Sequence, residues 1–411
     1  MIRGDEPPEL AGASCDEFDL LAGTRVLDLT NSMAGPYASL LLADQGAEVI
    51  KVERPGQGDD AREWGPPFLG TLSLWFASVN RNKRSMTLDY ATGAGADILR
   101  RLVVVSDVVM VNFRPATQQR LGVDAATLAA VRKDLIVCSI TGFGLTGPKR
   151  DLPCYDLIAE GYSGIMDLTG EPGGEPQKVG TPAADLLAGM DAAFGITAAL
   201  LDRSRTGRGH VIDVSLVESM TRFLTPRIVS YLGSGELPRR SGGRDSVIAI
   251  YEVFSTADEP ITLAIGNDRI FRRFCMAVGH EEWLEDFGLR SNAQRREHRG
   301  VLVAAIRAIL TVRPRSEWLE LFENNGVPAG PVNRLDEVVR DAQLCARGLF
   351  YGVQAEEREI PQVGAGWHLD GRANGRSGPP PAIGCDTRAV LSTILGLADA
   401  EIEQLSSQSV V

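Results

Sequence analysis

The chain has 411 residues, a net charge of −12, 44 % hydrophobic and 23 % charged residues. That length exceeds one ordinary domain, and the composition suits a globular protein able to bury a large core. The acidic balance argues against nucleic acid as the main partner, because phosphate backbones want a basic surface; it leaves room for one basic pocket.

Residues 1–21 are polar and acidic and read as an extension. RVLDLT (25–30) reads as a strand, 36–45 as a helix and AEVIKVE (47–53) as a second strand. Strand, helix and strand within about thirty residues open a parallel α/β sheet. The linking turn is SMAGP (32–36), not G-x-G-x-x-G, so the dinucleotide fingerprint is missing and a nicotinamide-dependent oxidoreductase is disfavoured. Helical pattern at 94–105 precedes a strand at 107–113. A helix at 125–131 precedes a strand at 135–141 and then the glycine-bearing GFGLTGP. Apolar strands separated by helices predict a parallel sheet covered on both faces, with ligands beyond the strands' carboxyl ends.

The stretch GTPAADLLAGMDAAFGITAALL (180–201) predicts a loop entering a helix, with Thr181 as cap and Pro182 in the first turn. Leu186, Met190, Ala193 and Ile196 recur at helical spacing. Asp185 lies in the first turn, where the helix's partial positive charge favours its ionised form. Such an acid either stabilises the helix start or, in this small-residue setting, serves as a nucleophile. Asp156 is a second acid, readable as a cap or as a partner of Asp185. Beyond His210 a strand (211–216) and a helix (218–233) lead to a polar link. Strands within 246–254 and 260–265, with helices near Asp268–Val278, 298–309 and 317–325, predict a smaller α+β domain. A helix, a Gly/Pro-rich run (371–384) and a last helix (387–395) close the chain.

Basic residues fall in the turns after the predicted strands: Lys51, Arg54, the NRNKR run with Arg81, Lys83 and Arg84, then Arg114 and Arg120. Converging guanidinium groups can hold a polyphosphate, and Phe113 or Tyr155 could face an adenine ring; the same charges also suit a solvated sheet edge. Ser241, Gly242 and Gly243 fit either a mobile flap with backbone donors or a plain linker. Six cysteines without a C-x-x-C pair read as reduced, mostly buried thiols, and the scattered histidines give no metal motif. No apolar run is read as a membrane span and no secretory leader is read, so the expectation is a cytoplasmic protein.

Ordered segments carry a resemblance over about residues 22–400. They are VLDLTNSMAGPYASLLLADQGAEVIKVERPGQGDDAR (26–62), NRNKRSMTLD (80–89), NFRP (112–115), SITGFGLTGP (139–148), YDLIAEGYSGIMDLTGEP (155–172), KVGTPAADLLAGM (178–190), TGRGHVIDVSLVESM (206–220), GVPAGPVN (326–333) and RGLF (347–350). Together they resemble the class III CoA-transferases, the group of formyl-CoA and carnitine CoA-transferases. The resemblance implies a Rossmann-like parallel-sheet large domain (22–210 with 335–411), linkers and a smaller α+β domain (211–334), and an interlocked ring-like homodimer. It implies that CoA moves from an acyl-CoA thioester to a free carboxylic acid, without metal. It makes Asp185 the nucleophile and places CoA against Met33, Ala34, Arg54, Leu88, Asp89, Asn112, Phe113, Arg114, Arg120 and Tyr155. Ser241, Gly242 and Gly243 become the flap. The stretch PGQGDDAREWGPPF looks like members that use dicarboxylic acids with succinyl-CoA. Two rivals remain. An α-methylacyl-CoA racemase would need a His where Tyr155 stands. A non-catalytic CoA-binding subunit of a heteromeric transferase would come with a related second chain.

Overall fold

A computed structural model describes residues 11–12, 18–355, 358–373 and 378–411. The described chain divides into two compact units. The larger holds 18–165, 178–234 and 339–411; the smaller holds 166–177 and 235–338. His210–Ser215 belongs to the large unit, so the boundary expected at 210 lies instead near 234, and the helix expected over 218–233 is two helices, Leu216–Phe223 and Thr225–Ser234.

The large unit is built on six parallel strands: β1 (Arg25–Asp28), β2 (Glu48–Glu53), β3 (Lys83–Thr87), β4 (Val108–Val111), β5 (Ile136–Thr141) and β6 (His210–Ser215). Their order is β3-β2-β1-β4-β5-β6, the doubly wound arrangement in which strand order reverses beside β1. Every residue of β4 and β5 is buried, as a sheet covered on both faces requires. Leu27, Ile50, Met86, Val109 and Val137 form its core with Val390, Leu391 and Ile402 from the end of the chain. Fully burying one such side chain is worth about 1.5–3 kcal/mol.

Strand β3 went unread in the sequence because it opens on Lys83 and Arg84. Both strand-borne and neighbouring cations are committed inside the fold. Lys83 and Arg81 are buried on Asp28 and Asp44, and Arg84 pairs with Glu48.

Four helices of the large unit matter for the site: α1 (Ala34–Ala43), α2 (Pro115–Leu121), α3 (Asp156–Ser163) and α4 (Ala183–Thr206). By length and composition alone α4 could span a bilayer, contrary to the sequence reading. It carries Asp185, Asp191 and Asp202, and buries Ala184, Ala188, Ala192 and Ile196 within the unit. Gly189 explains how closely it lies on α1: a Cβ there would stand 2.8 Å from the Ala34 carbonyl oxygen.

The smaller unit contains an antiparallel sheet of β7 (Tyr251–Phe254), β8 (Ile261–Ala264) and β9 (Ala329–Pro331). Burial alternates along β7 and β8, as a sheet with one wet face demands. Phe254, Ile261, Phe271, Phe274, Trp318 and Phe322 fill its core. Cys138 and Cys275 are buried, whereas Cys345 and Cys385 are exposed, against the reading of mostly buried thiols; Cys15 lies outside the described residues.

Candidate active site

The turn after β1 is gripped by side chains from β2, from the loop that follows β2 and from the end of β4. Lys51 donates from Nζ to the Thr30 carbonyl at 2.9 Å and pairs with Asp59 at 2.7 Å. Asp59 Oδ1 accepts the Ser32 N–H at 2.9 Å. Asn112 accepts the Asn31 N–H and returns its own amide N–H to the Asn31 carbonyl. Ser32 is thereby held at φ +68°, a left-handed conformation that costs a non-glycine residue strain and marks a shaped turn. Met33 and Ala34 follow at once, both buried, opening α1. Beneath them Asp28 accepts from Thr30, Ser39 and Lys83, and this partnering holds its carboxyl down to about 2 against the upward push of burial.

Lys51, Arg81 and Lys83 therefore brace the turn and its surroundings; they are not available to a phosphate. The same burial pushes Lys83 down to about 7, despite Asp28 beside it. Arg54, Arg114 and Arg120 are exposed. Arg54 stands after β2; Leu88 and Asp89 follow β3, joined to it where the Leu88 N–H bonds the Glu53 carbonyl. Leu88 is wholly buried. Phe113 packs partly on the core, Arg114 follows it as the N-cap of α2, and Arg120 stands in the last turn of that helix. Met33, Ala34, Arg54, Leu88, Asp89, Asn112, Phe113 and Arg114 thus follow the carboxyl ends of β1 to β4 of one sheet, whose strand order reverses between β1 and β4. Tyr155 precedes α3 and is 66 % exposed; four residues before it, Asp151 accepts from Arg114 and Ala116 at that edge.

Asp185 sits in the first turn of α4, half-buried. Thr181 does not cap this helix: Pro182 stands at the N-cap without a side-chain bond. The cap comes from another helix. Asp156 Oδ1, in the first turn of α3, accepts the N–H groups of Ala184 at 2.8 Å and Asp185 at 3.3 Å. Burial, and then the charge of Asp156, push the Asp185 carboxyl up to about 7. This reverses the expectation from helix polarity: the amides that would favour the anion are already spent on Asp156. Four residues along α3, fully buried Glu160 accepts the Val179 N–H at 2.8 Å. The sequence reading missed Glu160, although its i, i+4 spacing from Asp156 puts both acids on one helix face.

Gly189, one turn after Asp185 on α4, touches the Ala34 carbonyl, so the helix start and the Met33–Ala34 turn are neighbours. Beside them opens a cavity of about 960 Å³, lined by Met33, Tyr37, Trp75, Pro182, Leu186 and Met190 among others. In the smaller unit Gly242 takes φ +64° and spends its N–H on the Gly170 carbonyl, while Gly243 accepts from Val253. That turn is tied to its own unit at both glycines.

Residues 21–387 match the family described as CoA-transferase family III. The chain is 36 % identical over 400 residues to the succinyl-CoA:glutarate CoA-transferase of Mus musculus, covering 97 % of this chain and 92 % of the relative. It is 41 % identical over 347 residues to the succinate–glutarate CoA-transferase of Agrobacterium fabrum, covering 83 % and 86 %. A crystal structure of a CAIB/BAIF family protein from Brucella suis superposes with a TM-score of 0.82 at 36 % identity, over 92 % of this chain and all of that one.

Proposed function

The chain belongs to CoA-transferase family III, and from that premise we propose that it moves CoA from succinyl-CoA to a free dicarboxylic acid through covalent intermediates on Asp185. One observation carries this reading. Asp185 is a half-buried carboxyl with a raised affinity for protons, set beside the sheet edge that gathers Arg54, Arg114 and the Met33–Ala34 turn.

The steps balance without an external co-reactant. Ionised Asp185 attacks the donor thioester carbonyl and expels CoA thiolate, leaving a mixed anhydride. The thiolate attacks the aspartyl carbonyl and releases the donor acid, giving an aspartyl–CoA thioester. The acceptor carboxylate displaces the thiolate, and a second anhydride forms. The thiolate then takes the acceptor's acyl group and Asp185 leaves as carboxylate. Each barrier is split, and one thioester is exchanged for another. A carboxyl held near 7 is a stronger base than an ordinary aspartate and hence a better nucleophile once ionised.

Arg54, Arg114 and Arg120 supply charge for the CoA phosphates in this reading, with the backbones of Met33, Ala34, Leu88 and Asp89 lining its path, Asn112 holding that path, and Phe113 and Tyr155 flanking it. Water must be excluded, because it would hydrolyse either anhydride. A second copy of the chain is the shield. Supporting this, α4 leaves Met190, Phe194 and Leu201 exposed along its length. Succinyl-CoA and a dicarboxylic acceptor are favoured by the names of the mouse and Agrobacterium relatives. Incubating the protein with succinyl-CoA and isotopically labelled glutarate tests this: labelled glutaryl-CoA is expected, and its absence across a panel of free acids would contradict the reading.

A further inference from the structure

Glu160 is 0 % exposed, yet one of its two carboxyl oxygens has no partner. Its Oε2 accepts the Val179 N–H. The carboxyl of Asp156, four residues earlier on α3, lies within hydrogen-bonding reach, and Lys178 is the cation close by. Two carboxylates cannot bond one another without a proton between them, and a buried carboxylate with an orphaned oxygen carries a full desolvation penalty. A single proton removes both difficulties. It turns the orphan into a donor and the meeting of two acids into an O–H···O bond. Burial, with Asp156 opposed by the Val179 N–H, moves Glu160 in the same direction, toward holding a proton.

Resting on the proposed role of Asp185, we propose that Glu160 is a positioning residue: as a neutral acid it donates to Asp156 and accepts from Val179, fixing the nucleophile's helix start from both sides. The segment entering α4 is gripped at Val179 by Glu160, and at Ala184 and Asp185 by Asp156. Both grips come from one face of α3, and the proton on Glu160 locks the two together. Asp185 lies at the end of that clamp. A shift of about 1 Å in a reacting group costs on the order of 10²-fold in rate.

Glutamine reproduces both bonds of a neutral glutamic acid, since its N–H donates and its carbonyl accepts; leucine reproduces neither. The Glu160→Gln enzyme is expected to keep kcat within about threefold of wild type. Glu160→Leu should lose on the order of 10²-fold in kcat and in the rate of aspartyl–CoA adduct formation, with CoA affinity unchanged. Infrared difference spectra of wild type minus Glu160→Gln at neutral pH should show a protonated-carboxyl band. The inference is overturned if Glu160→Gln is as slow as Glu160→Leu, if Glu160→Leu turns over like wild type, or if no such band is lost. Should Glu160→Leu fail to fold, the glutamine variant and the band still decide. Wild type that transfers no CoA would instead sink the proposed function.

Discussion

Asp156 caps the helix that carries Asp185: one carboxylate accepts the backbone N–H of the other residue and of its neighbour Ala184. The two acids are thus tied by geometry and opposed by charge. Replacing Asp156 with Asn keeps an acceptor for the cap and removes the charge. The acidic limb of the pH–rate profile should then move to lower pH, with little loss of stability. Asp156→Ala removes the cap as well, at a cost of about 0.5–2 kcal/mol. Urea unfolding and kcat/KM profiles of both variants check this.

The protonation of Asp185 sets an activity limb. Only the anion attacks, so kcat/KM for the acyl-CoA donor should rise with pH through about 7 and then level off. Stability runs the opposite way. A carboxyl whose proton affinity is raised by folding contributes fully below pH 3.8, its ordinary value, and that contribution is lost as pH rises through about 7. Asp185→Asn is therefore expected to melt above wild type at pH 8 and together with it at pH 3. Calorimetric scans at the two pH values decide.

Gly189 permits the approach of α4 to α1. A methyl group there meets the Ala34 carbonyl oxygen at 2.8 Å, and backbone must yield. Gly189→Ala should cost about 1–3 kcal/mol, as overpacking does. It should also slow transfer, because the displaced helix carries Asp185. Chemical denaturation paired with kcat separates the two effects.

Under the turn, Asp28 and Lys83 form a buried pair whose further partners are Thr30, Ser39, Asn80 and the Pro36 carbonyl. Breaking it by Asp28→Ala should cost about 3–5 kcal/mol, because the lysine is left inside without its counter-charge. The carboxyl is held at about 2, below its ordinary 3.8, so its contribution is present above pH 3.8 and is lost as pH falls toward 2. Acid unfolding of wild type should steepen in that window, and the variant should lack the step.

The parallel sheet was legible because apolar residues dominate the middles of β1, β2 and β5 and the whole of β4, with helical stretches between them. Strand β3 was not, since KRSMT opens on two cations whose charges are neutralised by residues elsewhere in the chain. The basic residues at strand ends looked alike in sequence. Burial alone separates Lys51, Arg81 and Lys83, which brace the fold, from exposed Arg54, Arg114 and Arg120. Asp185 could be singled out from its helix start, but its environment could not. The cap arrives from Asp156, 29 residues away, and no local pattern records a contact across that distance. The third strand of the small sheet, Ala329–Pro331, is three residues long and carries Gly330 and Pro331, both poor strand formers.

The central claim is that Asp185 takes up the acyl group and the CoA in turn, and oxygen bookkeeping tests it most directly. Turnover with an acceptor acid carrying 18O in its carboxylate, followed by mass spectrometry of the peptide containing Asp185, should show 18O incorporated in that side chain. The oxygen bridging the second anhydride stays with the enzyme when the thiolate departs with the acceptor's acyl group. An Asp185 peptide that remains unlabelled after many turnovers would contradict the account.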